Sequence, residues 1–366
     1  MTAVIVGFGG HGRGAWVRAL KQHADWELVG VVDTDTELLA NIPEMGFGLD
    51  EDQTFQTIEE AVQFGERPDL AIVATPIPTH HAIVLEAMDL GLNVVCEKNM
   101  ASEVFQGRQM VQAALDHPEL VTAVGTQHRY TSRMWTARQF LNTDDNQIGR
   151  LGSIKWESYD WRGERRWGWR RCLADVYLED QAVHWLDSIR YVTDMEVVWV
   201  QGLTFIPNYS DWYGSATVWA LMGLTKPEHR HDRRKWTWCQ FTGTWQQRGP
   251  THDDWEFYGE KGQFQITPGW GLHLKLYVDP NDSRKFEEDG YLPRHDVHGI
   301  DAGGKYQGQT LILEEVKRGI DSNGEFQPSS HFAEAFKSFA VTRAIRESSV
   351  TGRAVDPTKY WKHMGI

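Results

Sequence analysis

Cysteine is nearly absent. The 366 residues hold three, Cys96, Cys172 and Cys239, with no C-x-x-C spacing. That excludes a disulfide framework and a thiolate zinc site. Cys96 ends an apolar run, so a buried strand thiol is expected there. No apolar stretch approaches the ~20 residues that a membrane-spanning helix needs. The first strand is expected within a few residues of Met1, with no secretory leader before it. The expectation is a cytoplasmic protein with no membrane partner. Basic residues are scarce too, but only at one end. Residues 1–125 hold six Lys and Arg against nineteen Asp and Glu, whereas the remainder is nearly balanced within a net charge of −14. So acidic a region repels nucleic acid. Any phosphate bound there must be met by local backbone geometry.

What is present is ample apolar material, 41% of the chain, with 17 tryptophans. The length favours two domains. In the first third, short apolar runs alternate with helical patterns: AVIVG, ELVGVVD, LAIVAT, NVVCEK and LVTAVGTQ read as five strands. Strands alternating with helices imply parallel βαβ units and a doubly wound α/β sheet. After Gln127 the strands come close together and alternate apolar with polar residues, as in GSIKWESYDW, VVWVQGLTF, SATVWALMG, KWTWCQFTGTW, DDWEFYGEKGQFQI and LHLKLYV. That is an α+β domain with a large, open, mainly antiparallel sheet. Helices are expected at MWTARQFL, DQAVHWLDSIRYV and roughly 331–347. The expected division is 1–125 and 126–366. An open apolar sheet face needs covering, which predicts a homodimer or homotetramer.

Gly7, Gly9 and Gly12 form G-x-G-x-x-G between the first strand and its helix. Gly7 permits the tight turn, Gly9 lets backbone approach a pyrophosphate, and Gly12 lets helix pack on strand. The whole turn, Gly7, Phe8, Gly9, Gly10, His11 and Gly12, is the expected cofactor loop. Asp33 ends the second strand 21 residues after Gly12. Its carboxylate suits ribose hydroxyls and repels a 2′-phosphate, which favours NAD over NADP. A turn that binds nothing, beside a solvated Asp33, is the bland alternative. Thr75 and Pro76 end the third strand, where ligands bind in such sheets. His80 either lines that cleft or only organises its loop. Glu97 and Lys98 end the fourth, with Lys98 aimed into the crevice and Glu97 expected to meet the nicotinamide ribose.

Asp180 and His184 lie four apart and share a helix face. Asp180 can orient the imidazole, whose ordinary pKa near 6.5 suits reversible proton transfer. Lys98 supplies charge and a donor for a reacting oxygen. Read alone, DQAVHWLD equally fits an amphipathic helix with a buried His and a surface Asp. Asp187, one turn on, is expected to be structural. WRGERRWGWRR, residues 161–171, carries five arginines and three tryptophans. It is either a substrate cover for an anionic sugar or a charge cluster pairing with acidic surface. Arg129, Trp161, Arg162, Trp169 and Arg170 are the expected substrate contacts. His229, His231, His252, His295 and His298 are scattered without ligand spacing, so no catalytic metal is expected.

VIVGFGGHGRG, VVD, ATPIPTHH and CEKNM, then IGRLGSI, DQAVHWLD and EFYGEKGQF, resemble the glucose–fructose oxidoreductase, inositol dehydrogenase and MocA family in order and spacing over nearly the whole chain. The resemblance implies a Rossmann domain, a C-terminal open sheet, and oxidation or reduction of hydroxyls on sugars, inositols and related polyols. It implies that Lys98 is the family's E-K-P lysine and that Asp180 and His184 are its D-x-x-x-H, with the His as catalytic acid/base. Two features depart from the pattern. Asn99 stands where the proline is usual, and residues 173–179 and Ala182 replace glycines before and inside the D-x-x-x-H helix. The expected activity is NAD-dependent hydride exchange with a secondary hydroxyl or ketone of a sugar, a glycoside or uronate, or a polyol. The alternatives are a redox-neutral lyase or glycosidase with tightly held NAD, and a non-enzymatic NAD-binding protein.

Overall fold

A computed structural model describes residues 1–144, 146–163, 168–266, 272–279, 282–292, 295–300 and 307–366. Its contacts divide the chain into two compact units. The first holds Met1–Tyr130, the described part of Ala302–Phe336, and Met364–Ile366; the second holds the rest.

The first unit is built on β1 (Thr2–Val6), β2 (Glu27–Val32), β3 (Thr54–Phe55), β4 (Leu70–Val73), β5 (Asn93–Cys96) and β6 (Thr122–Val124), all parallel in the order β3-β2-β1-β4-β5-β6. The runs TAVIV and LAIV are apolar because β1 and β4 are central and covered on both faces. The winding reverses between β1 and β4, and ligands bind at the carboxyl ends of such a switch point. Cys96 closes β5 fully buried, and burial pushes its thiol well up. β3 went unread because two residues carry no periodicity.

The expected boundary near residue 126 is corrected at its far end. The helix Gln307–Asp321, which the sequence reading passed over, belongs to the first unit. It buries Leu311, Ile312, Leu313 and Val316. Trp26 Nε1 donates to its Leu313 carbonyl at 3.3 Å, and His23 meets Glu314 at 2.9 Å. The Tyr130 hydroxyl reaches Glu315 at 2.6 Å.

The second unit carries β7 (Leu151–Tyr159), β8 (Glu196–Phe205), β9 (Thr217–Thr225), β10 (Thr237–Thr244), β11 (His252–Gly259), β12 (Gly262–Ile266), β13 (Leu272–Asp279) and β14 (Asp282–Tyr291). Their order is β14-β13-β12-β11-β7-β10-β9-β8, antiparallel except for β7 beside β10. The stretch read as one strand, DDWEFYGEKGQFQI, is the hairpin β11–β12, turned at Glu260 and Lys261. β14 has no apolar alternation and went unread. Alternation sorts the faces: Val218, Ala220 and Met222 are buried, while Trp219 and Leu221 are 54% and 52% exposed. On the inner face Trp156 stacks on Trp255 at 4.7 Å, and Trp185 of the helix Val183–Thr193 tilts onto Trp255 at 5.0 Å. No helix among the described residues is long and apolar enough to cross a membrane.

Candidate functional site

The glycine turn is sterically specified. Gly7 has φ 91°, and its N–H donates to the Val32 carbonyl at 2.8 Å. A Cβ on Gly7 would lie 2.7 Å from the Thr75 backbone, and one on Gly12 would lie 2.4 Å from the Gly7 carbonyl. A Cβ on Gly9 or Gly10 would meet nothing within 4 Å. Two glycines therefore close the turn, and two leave an open cradle of the kind a pyrophosphate needs. Phe8 packs inward. Its side chain is fully buried, edge-on to Phe47 at 5.2 Å, and its N–H donates to Asp33 Oδ2 at 2.8 Å. Asp33 Oδ1 accepts from the Asp35 N–H at 3.0 Å. Each carboxylate oxygen keeps a lone pair for a ribose hydroxyl. The helix that follows begins with a π turn, Gly12–Trp16, before its α segment Val17–Gln22.

Glu97 anchors the glycine turn. Its carboxylate is buried and turned toward the glycine turn. Oε1 lies 2.9 Å from His11 Nε2 and accepts from Trp16 Nε1 at 2.9 Å, and Oε2 accepts from the Lys98 N–H at 3.1 Å. Those contacts tie it to the glycine turn and to its own loop. Burial pushes its pKa up, but the charge and hydrogen bond of His11, the charge of Lys98 and the Trp16 bond outweigh this and hold it at about 2.

His80 is the loop organiser, not a cleft-lining group. It is fully buried, with Nδ1 2.8 Å from the Asn99 carbonyl and Nε2 2.8 Å from the Thr75 carbonyl. It thus ties the loop after β4 to the loop after β5. Burial lowers its pKa, against the pull of the two carbonyls. Thr75 is half-buried and accepts from the Thr79 hydroxyl at 2.9 Å, and Pro76 is the exposed cap of the helix Ile77–Asp89. Lys98 is half-buried, and the Lys98–Asn99 peptide is cis.

In the second unit, Asp180 and His184 are both buried. The expected uninterrupted α-helix is instead a π turn, Leu178–Ala182, running into Val183–Thr193. Asp180 sits in the π turn and His184 opens the α segment. Arg170, expected to touch substrate, donates from Nε to Asp180 Oδ2 at 2.8 Å and stacks its guanidinium 4.8 Å from the Trp169 ring. Glu179, beside Asp180, pairs with Arg343 at 3.1 Å and Arg346 at 3.0 Å. Burial raises its pKa despite both arginines. Asp187 is fully buried and accepts from Ser338 at 2.8 Å, a structural bond.

Residues 164–167 of the Arg/Trp segment lie outside the described residues. Arg162 and Arg170 pair within the second unit. Arg162 donates to Asp160 at 2.7 Å and lies 4.6 Å over Trp245. Arg248, which sequence reasoning missed, lies 4.5 Å over Trp161, and Trp161 bridges to Gln246. Arg129 is corrected. It lies in the first unit, 2% exposed, donates to the Ser329 carbonyl and is 3.8 Å from Glu334, so it is a buried tie. One metal-sized group exists among the described residues, Glu157, His252 and Asp254. Lys155 Nζ already sits there, 2.7 Å from Asp254 and 3.1 Å from Glu157.

A switch-point glycine turn with an acidic strand-end partner defines a Rossmann-type, NAD-binding oxidoreductase. Residues 1–125 match the family model described as "Oxidoreductase family, NAD-binding Rossmann fold", and residues 135–265 match the "GFO/IDH/MocA C-terminal domain". The chain belongs to this family of glucose–fructose oxidoreductase, inositol dehydrogenase and MocA. It is similar to levoglucosan dehydrogenase of Pseudarthrobacter phenanthrenivorans, 26% identical over 319 residues, 79% of this chain and 80% of that protein. It is 24% identical to inositol 2-dehydrogenase of Rubrobacter xylanophilus over 197 residues, 53% of this chain and 52% of that protein, about half its length. In fold it resembles the oxidoreductase domain protein of Kribbella flavida, with TM-score 0.80 at 18% identity over 97% and 98% of the two chains.

Proposed function

We propose that this protein exchanges hydride between NAD and a secondary hydroxyl or ketone of a sugar, sugar derivative or polyol. The observation that carries the proposal is the open Gly9–Gly10 cradle with Asp33 stapled to the turn through the Phe8 N–H, in a chain that also holds Lys98, Asp180 and His184. Gly9 and Gly10 would hold the pyrophosphate and Asp33 the adenosine ribose. When bound, NAD supplies the hydride acceptor. His184 takes the hydroxyl proton, Asp180 positions it, and Lys98 steadies the negative charge that develops on the substrate oxygen. Arg170 holds Asp180, and the stacked Arg162 and Arg248 favour a substrate bearing a carboxylate or many hydroxyls. Similarity to the levoglucosan and inositol dehydrogenases supports that substrate class.

The test is a screen of uronates, glycosides and polyols for NADH formation, read by its absorbance. His184→Ala is expected to lose turnover by at least ~100-fold, on the scale of general acid–base catalysis, while still binding NAD. A fully active His184→Ala sinks its assigned role. Bond cleavage with no net NADH would favour the redox-neutral alternative. We further propose a homodimer or homotetramer, supported by the exposed Leu203, Trp219, Leu221 and Trp238 on the outer sheet face. A monomer in sedimentation experiments would refute the assembly.

A further inference from the structure

The geometry points to His11 as a cationic ligand for the pyrophosphate, kept protonated by Glu97. The inference rests on the NAD site proposed above. The first 125 residues carry a threefold excess of acidic over basic groups, so charge for a phosphate must be found locally. His11 stands between Gly10 and Gly12, inside the turn itself. Its side chain is 48% exposed, and its Nε2 lies 2.9 Å from Glu97, whose side chain is 7% exposed. The ring is therefore anchored on its inner side by a buried anion and open to solvent at the turn.

Two effects of protonation act in the same direction. The imidazolium presents a positive charge at the cradle. It also neutralises Glu97, whose buried charge otherwise faces the phosphates through a low-dielectric interior. Loss of the proton removes the attraction and exposes the repulsion together.

The sign follows from the groups that face the ring. Glu97, hydrogen-bonded to it, favours the charged form. Lys98, on the same loop, opposes that form from farther off, and Trp16 is neutral. Asp33 is the other anion tied to this turn, through the Phe8 N–H. A bound pyrophosphate favours the imidazolium further. Affinity is thus full below the ring's pKa in the free protein and falls as pH rises above it.

Titrating the full chain with ADP-ribose by calorimetry from pH 6 to 9 tests this, with adenosine as the control that lacks phosphate. For the wild type, ADP-ribose affinity is expected to fall about tenfold, one pKa unit of linkage, while adenosine affinity stays flat. His11→Gln is expected to bind weakly at every pH. His11→Lys is expected to stay tight up to pH 9, which separates charge from shape. Glu97→Gln is expected to move the decline to lower pH. A common pH slope in wild type and His11→Gln overturns the inference, as does a flat wild-type profile. If ADP-ribose fails to bind the wild type at any pH, the NAD site itself is wrong.

Discussion

Two buried glutamates stand immediately before residues assigned to the chemistry, and their surroundings move them in opposite directions. Glu97 precedes Lys98 and is held at a pKa of about 2; Glu179 precedes Asp180 and is raised. Glu97 collects a ring nitrogen, an indole N–H and a backbone N–H. Glu179 meets the guanidinium groups of Arg343 and Arg346 and lies in the field of the Asp175 carboxylate. Burial raises both carboxyls; at Glu179 the like charge of Asp175 adds to burial, whereas at Glu97 the charges of His11 and Lys98 and the hydrogen bonds of His11 and Trp16 outweigh it. Gly125 belongs to the same arrangement, because a Cβ there would lie 2.9 Å from Glu97 Oε1.

The sharpest way to break this contrast is Glu97→Gln. A carboxyl lowered from 4.5 to about 2 contributes stability that is present above pH 4.5 and lost as pH falls toward 2. The shift corresponds to roughly 3 kcal/mol at neutral pH. Glu97→Gln should destabilise the first unit by about that amount at pH 7, and the gap to wild type should close on acidification. Urea unfolding at several pH values, followed by Trp16 and Trp26 fluorescence, measures it. A constant gap from pH 7 to pH 3 would show that Glu97 carries no such charge linkage.

The legibility of these features tracks the separation of the partners in the chain. Gly7, Gly12 and Asp33 were readable because a strand–turn–helix is local and only glycine satisfies its sterics. The His11–Glu97 pair spans 86 residues and forms only because β1 and β5 end on the same edge of the sheet. A histidine set between two glycines was the one available signal. Glu179 and Arg343 are 164 residues apart, and nothing in either neighbourhood points to the other. The π turn Leu178–Ala182 was hidden because five residues cannot separate a 3.6 from a 4.4 repeat. Arg129 was misread because an arginine after a strand looks solvent-seeking until the C-terminal segment covers it. The helix Gln307–Asp321 did carry a signal, the spacing of Leu311, Ile312 and Val316.

Arg170→Gln probes the second unit at the residue next to Glu179. Removing the guanidinium takes a positive charge away from a buried carboxylate four positions before His184, which favours the imidazolium. The His184 titration should move to higher pH, read by NMR of histidine-labelled protein with NAD present. Turnover at pH 7 should fall about tenfold, the equivalent of 1.4 kcal/mol, with NAD affinity unchanged. An unmoved His184 titration would mean that Arg170 holds Asp180 for structure alone.

Glu179→Gln carries the smallest expected change and the most telling sign. A carboxyl raised by burial contributes stability at low pH and loses it as pH rises through the raised value, the reverse of Glu97. Gln keeps a hydrogen bond to Arg343 and removes the desolvated charge, so the two terms partly cancel and leave about 1 kcal/mol or less at pH 7. From pH 4 to pH 8 the variant should gain on wild type, whereas Glu97→Gln should lose ground over the acid part of that range. The same unfolding series, followed by the tryptophans of the second unit, reads both slopes. If the two variants slope alike, the two carboxyls are not shifted in opposite directions, and the contrast between the sites fails.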